Sequence, residues 1–444
     1  MRQVIAALIL VLAMTASAAA APGPPSVPSV DAPELARLGP YAVGLRRLEL
    51  IQPAQADLAR IDPKTGVAPV VDRHLPVSLW YPATLAVGAQ PVRYSATLDP
   101  EHPDRDARVP VEAAGVAVLD AAPVKGRAFP LVILSHGYGG APEAMTWLAE
   151  NLASKGYVVA AIAHRDPPYG DARGFPGPLL RRPLDIAFAA RSLQAQIRAG
   201  QGPLAGVADP ERVVLIGYSM GGYGVLTEAA GGFDPAGVAA HLLSGQYIGA
   251  YLPGGGQRGE MAIAGIKAVV AISPFTQTPA APAWSAATLA QVKTPLLLVV
   301  GDQDRTVGFA GVKAVFEQAT HSPRRLLLFR EGGHSIGMNP AVEADRSSLW
   351  GQDWFEDPVW RKDRIIGVQL HFITAFLDRY VKGDVTRDAY LDVADPLSDH
   401  GVWPAGVGGG YGAYSPGAAP ITVWKGFQRG HDAGLEFWKG NVAP

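Results

Sequence analysis

No cysteine occurs among the 444 residues. That single absence excludes a disulfide framework, a thiol nucleophile and a thioether-linked lipid anchor, so the fold must be held by burial alone. Charge is also sparse: Asp, Glu, Lys and Arg make up 18% of the chain and the formal net charge is −2. A nucleic-acid partner would call for a basic surplus to neutralise phosphates, and there is none. Internal repeats and heptads are missing, and there is no long apolar run beyond the one at the N-terminus. Glycine and proline, at 51 and 39 residues, are plentiful instead and imply long ordered loops.

The first 21 residues read as an export signal. Arg2 supplies a positive start, Val4 to Met14 an apolar stretch, and Ser17 to Ala21 the small residues of a cleavage site. The apolar stretch is too short to span a bilayer, so removal is expected rather than stable membrane insertion, leaving a periplasmic or extracellular protein. Residues 22–40, rich in proline, alanine and serine, are expected to be a flexible leader. A catalytic domain is assigned to residues 41–384. Residues 385–444, rich in glycine, proline and aromatics, are read as a C-terminal extension and not as a second domain.

Two strand-like runs, Ala42 to Leu50 and Leu75 to Tyr81, suggest the antiparallel edge of a sheet, and the charged, proline-rich stretch from Asp99 to Pro110 a surface loop. The rhythm then becomes strand, helix, strand. Leu131 to Leu134, Val158 to Ala163, Val213 to Ile216, Ala268 to Ile272, Leu296 to Val300 and Leu326 to Phe329 are continuous apolar runs, as strands buried on both faces should be. Met145, Leu148 and Leu152 mark one helix; others are expected after Pro183 and over Gln369 to Val381. The alternation predicts an α/β fold with a mainly parallel, twisted sheet and helices on both faces. Ligands in such sheets sit at the carboxyl ends of the strands. The long connections from His164 to Arg182 and from Gly231 to Gly265 are candidates for a lid over that edge.

Gly217-Tyr218-Ser219-Met220-Gly221 follows the apolar run Val213 to Ile216 directly, and Val225 to Ala230 can continue as a helix. A sharp strand-to-helix turn with a serine at its tip crowds the backbone, so the residues two before and two after must be small; both are glycine. A serine hydroxyl is a weak nucleophile near neutral pH and needs a base, and the base needs a carboxylate. Later strands supply both, in the order serine, acid, histidine. Leu296 to Val300 runs into Gly301-Asp302-Gln303-Asp304-Arg305-Thr306-Val307, where Asp304 is the preferred acid and Asp302 its rival. Leu326 to Phe329 runs into Glu331-Gly332-Gly333-His334-Ser335, which presents one imidazole. For the oxyanion of an acyl-transfer intermediate, the backbone N–H of Met220 offers one donor and that of Tyr138, in His136-Gly137-Tyr138-Gly139-Gly140, a second. His136 precedes the serine and is assigned to bracing that loop. His164-Arg165-Asp166 and Asp302-Gln303-Asp304 carry metal-ligand types without a recognised spacing, His371 reads as a packing histidine, and Trp147, Trp284, Trp350, Trp354 and Trp360 read as core or loop anchors, of which one or two are candidates for an acyl pocket.

With these motifs in this order the chain resembles the α/β-hydrolases, and more closely the bacterial dienelactone-hydrolase-like and platelet-activating-factor-acetylhydrolase-like group. The similarity is carried by Leu79-Trp80-Tyr81-Pro82-Ala83, Phe129 to Gly137, Leu152 to Ala160, Arg182-Pro183-Leu184-Asp185 and His371 to Asp378, spanning about residues 42 to 384. The resemblance implies a serine esterase of short or medium acyl esters, acting on a small-molecule substrate without a cofactor or metal. Dienelactone hydrolases proper use a cysteine nucleophile, and this chain has none. Similarity to cutinase-like polyester hydrolases, an acyltransferase on the same residues, and a non-catalytic binding protein are the other readings.

Overall fold

The computed structural model describes residues 23–98, 109–168, 171, 174–342, 346, 349–403 and 421–443. The expected export signal lies outside the described residues, as does most of the Asp99–Pro110 loop.

The core is one 11-stranded sheet. Its strands are β1 (Ala42–Ala56), β2 (Val70–Thr84), β5 (Val118–Leu119), β6 (Ala122–Pro123), β7 (Phe129–Ser135), β8 (Val158–Ile162), β9 (Ala208–Tyr218), β10 (Ile266–Ile272), β11 (Leu296–Gly301), β12 (Arg324–Phe329) and β13 (Leu435–Gly440). A separate hairpin pairs β3 (Arg93–Leu98) with β4 (Val109–Ala114). Across the sheet the order is β13-β12-β11-β10-β9-β7-β8-β2-β1-β5, with β6 added to β2. The strands from β8 through β12 run parallel, while β1 and β2 form the antiparallel edge that the early runs suggested.

From β7 the chain steps outward to β8 on one side, then returns to lay β9, β10, β11 and β12 on the other. The reversal of strand order falls between β7 and β9, and there the carboxyl ends of neighbouring strands diverge and open a crevice. The apolar runs are buried on both faces because alternate side chains enter different cores. Val132, Leu134, Val214 and Ile216 pack with α1 (Thr146–Ser154) and the long helix Lys362–Val381; Leu131, Ile133, Val213 and Leu215 pack with α2 (Pro176–Arg198) and α3 (Met220–Ala229).

The structure departs from the sequence reading in four places. Helix α2 starts at Pro176 and carries Pro183 inside it instead of beginning after it. Proline removes the N–H that would bond the carbonyl four residues back, here Leu179, and the Tyr223 hydroxyl donates to that carbonyl at 3.0 Å in its place. The long connection after His164 is correspondingly shorter. Secondly, the described leader, residues 23–40, is packed. Asn151 and Lys155, polar residues on α1 and at its C-terminal end, donate to the backbone carbonyls of Ser26, Ala36 and Leu35, and Ser26 donates to the buried Glu150 carboxyl at 2.6 Å. Buried polar groups on the helix need partners, and the leader backbone provides them.

Thirdly, the described part of the stretch after 384, read as an extension, adds an edge strand to the sheet and side chains to its core. β13 pairs antiparallel with β12, and Trp424, Phe427 and Phe437 gather around Phe372 of the long helix, the Phe372 and Phe437 rings stacked at 4.2 Å. Finally, the Gly231–Gly265 connection folds into short helices packed on the α2 face, with Phe233, Val238, Ile248, Tyr251 and Met261 buried there. Among the described residues no helix is long and apolar enough to cross a membrane.

Candidate active site

Ser219 sits between β9 and α3 with φ 54° and ψ −115°. This conformation is costly for a residue with a side chain, and it throws the hydroxyl out above the strand ends. A Cβ at 217 would overlap the Gly221 carbonyl, and one at 221 would overlap the Ser135 carbonyl. The two glycines are therefore steric requirements of the turn.

His334 lies in the turn after β12, and its Nε2 is 3.1 Å from the Ser219 hydroxyl oxygen. Its Nδ1 is 2.8 Å from Asp304 Oδ2. The other carboxylate oxygen of Asp304 accepts the Thr306 and Val307 N–H groups, both at 3.0 Å, so one aspartate closes its own loop and faces the imidazole. Burial would raise the Asp304 carboxyl, but the His334 hydrogen bond and charge and the Val307 N–H hold it below the usual carboxylate range. Asp302 points elsewhere and accepts the Glu331 N–H at 2.7 Å. The His334 turn is fastened on several sides: Tyr218 O–H donates to the His334 carbonyl at 2.9 Å, Asp357 accepts the Gly333 N–H at 2.7 Å, and the buried Lys362 ammonium donates to the Ser335 carbonyl. Burial pushes that ammonium down to about 8 against the pull of Glu356 and Asp357.

Residues 110–169, which include β7, the His136–Gly140 turn, α1 and β8, match the family model described as platelet-activating factor acetylhydrolase, isoform II. The chain is also similar to the quorum-quenching protein AidA of Acinetobacter baumannii (strain MDR-ZJ06), with 34% identity over 104 residues. That match takes in 23% of this chain and 32% of the relative's length. Among solved structures, a ferulic acid esterase from Streptomyces cinnamoneus aligns with a TM-score of 0.46 at 22% identity, over 77% of this chain and 91% of that one.

The fold is of the α/β class, a mainly parallel sheet with helices packed on both faces. Ser219, Asp304 and His334 come from the ends of β9, β11 and β12, on one side of the sheet, with β10 lying between β9 and β11. Tyr138, from the turn after β7, lines the same crevice, and Met220 opens α3 beside Ser219, where first-turn N–H groups have no partner within the helix.

The crevice is a cavity of about 50 Å³ bounded by Tyr138, Tyr218, Met145, Met338, Asp353 and Trp354 together with Ser219 and His334. Among the described residues, neither connection proposed as a lid lines it; residues of the segment between His334 and the long helix do. Asp353 and Met338 carried no motif that would have pointed to them. Of the tryptophans considered, Trp354 is at the cavity, whereas Trp147 donates to the Gly337 carbonyl from the core, Trp360 donates to the Arg330 carbonyl and Trp284 stacks on Tyr223. The Trp350 side chain lies outside the described residues. His164 and Asp166, weighed as metal-ligand types, are buried in hydrogen bonds with Ser135, Asp185, Arg182 and Gly139. Arg182, the partner of Asp166 and Ser135, was visible only as part of the Arg182-Pro183-Leu184-Asp185 resemblance.

Proposed function

We propose that this chain is an exported serine carboxylic ester hydrolase, working through Ser219, His334 and Asp304 and an acyl-enzyme. The observation that carries the reading is the line of hydrogen bonds from the Ser219 hydroxyl through the imidazole to the Asp304 carboxylate, at 3.1 and 2.8 Å, opening on the cavity. As Ser219 Oγ bonds to the ester carbonyl carbon, its proton passes to His334 Nε2. Asp304 holds the Nδ1–H tautomer and offsets the imidazolium charge. The N–H groups of Tyr138 and Met220 receive the developing oxyanion. The imidazolium then gives its proton to the departing alkoxide, and a water deprotonated by His334 releases the acid in a second round. A cavity of about 50 Å³ favours a short acyl group on a small-molecule ester. Export to the periplasm or beyond rests on the first 21 residues, and no cofactor or metal enters the scheme.

The test is turnover of nitrophenyl esters graded by acyl length, with a small lactone and an aromatic polyester included. Activity should be highest at the shortest acyl groups. Ser219→Ala should lower kcat on the order of 10⁵–10⁶-fold and abolish fluorophosphonate labelling with the circular dichroism unchanged. A Ser219→Ala protein that hydrolyses like the parent would overturn the proposal.

A further inference from the structure

Behind the turn after β7 lies a buried polar network that the proposed mechanism does not touch. Arg182, fully enclosed on α2, donates to two successive backbone carbonyls, His136 and Gly137, the latter at 2.8 Å. His136 Nδ1 lies 2.7 Å from that same Gly137 carbonyl. The His136 tautomer is set from the other side of the ring: its Nε2 receives the His164 N–H at 3.0 Å, so Nδ1 carries the proton and donates. Two donors, one of them a buried cation, therefore converge on one oxygen.

The rest of the network keeps the guanidinium in place. Asp166 is ion-paired with Arg182 and accepts the Gly139 N–H at 3.0 Å, which ties down the far side of the turn. Ser135 Oγ receives an Arg182 N–H at 3.3 Å and lies 2.9 Å from His164 Nε2; His164 Nδ1 lies 2.9 Å from Asp185, and Asp185 is paired with Arg73 through two bonds of 2.7 Å. Every donor in this sequence meets an acceptor when His164 is neutral and carries its proton on Nδ1. Ser135, His164 and Asp185 thus repeat the serine-histidine-carboxylate order of the active site, but they are sealed in the interior and spent on holding Arg182.

The Gly137 carbonyl and the Tyr138 N–H belong to the same peptide unit. Hydrogen bonds donated to the oxygen of a peptide polarise it and make its N–H a stronger donor, and in a low-dielectric interior a cationic donor does so more than a neutral one. We infer that Arg182 is a positioning residue of the oxyanion site: together with His136 it polarises and orients the 137–138 peptide from behind, so that the Tyr138 N–H meets a developing negative charge more strongly than it meets a neutral carbonyl. This inference rests on the ester hydrolase reading and adds to it the residue that tunes one of the two donors.

Because such an effect grows with charge on the substrate oxygen, it separates from a packing role kinetically. Arg182→Gln should lower kcat about 10- to 100-fold with KM within about twofold, a loss in the range of a weakened oxyanion donor. The inhibition constant of a trifluoromethyl ketone, which forms a charged tetrahedral adduct on Ser219, should weaken in proportion to kcat/KM. The final extent of fluorophosphonate labelling should stay at one per chain while its rate falls. Unchanged kcat and ketone affinity in a fully labelled Arg182→Gln protein would overturn the inference and leave the Ser219 reading standing; parental turnover by Ser219→Ala would remove both.

If Arg182→Gln does not fold, the pair His136→Asn and His136→Leu asks the same question. The asparagine amide stands close to the position of Nδ1 and can still donate to the Gly137 carbonyl, whereas leucine cannot. The leucine variant should lose about tenfold more in kcat than the asparagine variant at similar KM. Equal rates in the two would refute the inference.

Discussion

Asp302 and Asp304 stand two residues apart at the end of one strand, and their side chains do unrelated work. Asp304 faces His334 with one oxygen and closes its loop with the other, while Asp302 caps the Glu331 N–H. Asp304→Asn should therefore reduce kcat by about 10³–10⁴-fold with little change in KM, because an amide stabilises the wrong imidazole tautomer and cannot offset its charge. Asp302→Asn should keep turnover within about threefold and cost about 1 kcal/mol of stability through a weaker turn. Steady-state kinetics and urea melts on the two proteins check both. A sequence places both carboxylates at the strand end equally well. Which of them turns inward is decided by the loop that Asp304 folds around its own side chain.

Helix α2 shows how an element's limits are set by a neighbour. Pro183 argued for a helix that starts after it, and an isolated chain would support that argument. The folded chain runs the helix through, because Tyr223 on α3 supplies a donor for the Leu179 carbonyl that proline leaves unbonded. Tyr223→Phe should destabilise the protein by about 1–3 kcal/mol, the cost of an unpaired buried carbonyl. In a Pro183→Ala background, where residue 183 regains its N–H, the same substitution should cost distinctly less. A double-mutant cycle by chemical denaturation measures that coupling; additive effects would show that the hydroxyl serves some other purpose. Helix α2 matters to the site because Arg182 rides on it, one residue before the proline.

At the scale of the whole molecule, the buried histidines govern the response to acid. Burial is the main cause that brings His164 down to about 4 and His371 down to about 3, and it takes His136 well below its ordinary value. In the unfolded chain each would accept a proton near pH 6.5. Below that pH the unfolded state binds more protons than the folded state, so stability must fall as pH falls, by up to about 1.4 kcal/mol per pH unit for each histidine until its folded value is reached. Asp185 and Asp166 extend the trend. Burial would raise each carboxyl, but Arg73 and His164 for the first and Arg182 for the second hold it low, so each contributes stability above about pH 4 that is lost as pH drops through the folded value. Thermal melts from pH 8 to pH 3 should show a decline beginning near pH 6.5, and His371→Leu should make it shallower. A flat profile between pH 6.5 and 4.5 would contradict the neutral, buried assignment.

Local chemistry along the chain was enough to mark the strands, the elbow, the acid turn and the late histidine, because each depends on residues close in sequence: an unbroken apolar run, a glycine two places from a serine, a carboxylate at a strand's end. Those same signals were blind to what a packed neighbour supplies. Only the tertiary structure seated residues 23–40 on the polar groups of α1, brought 435–440 to the open edge of β12, and set residues of the segment after His334 against the cavity. It alone brought Arg182 beneath the Tyr138 peptide, since a guanidinium in mid-helix announces nothing until the carbonyls it serves have been folded against it.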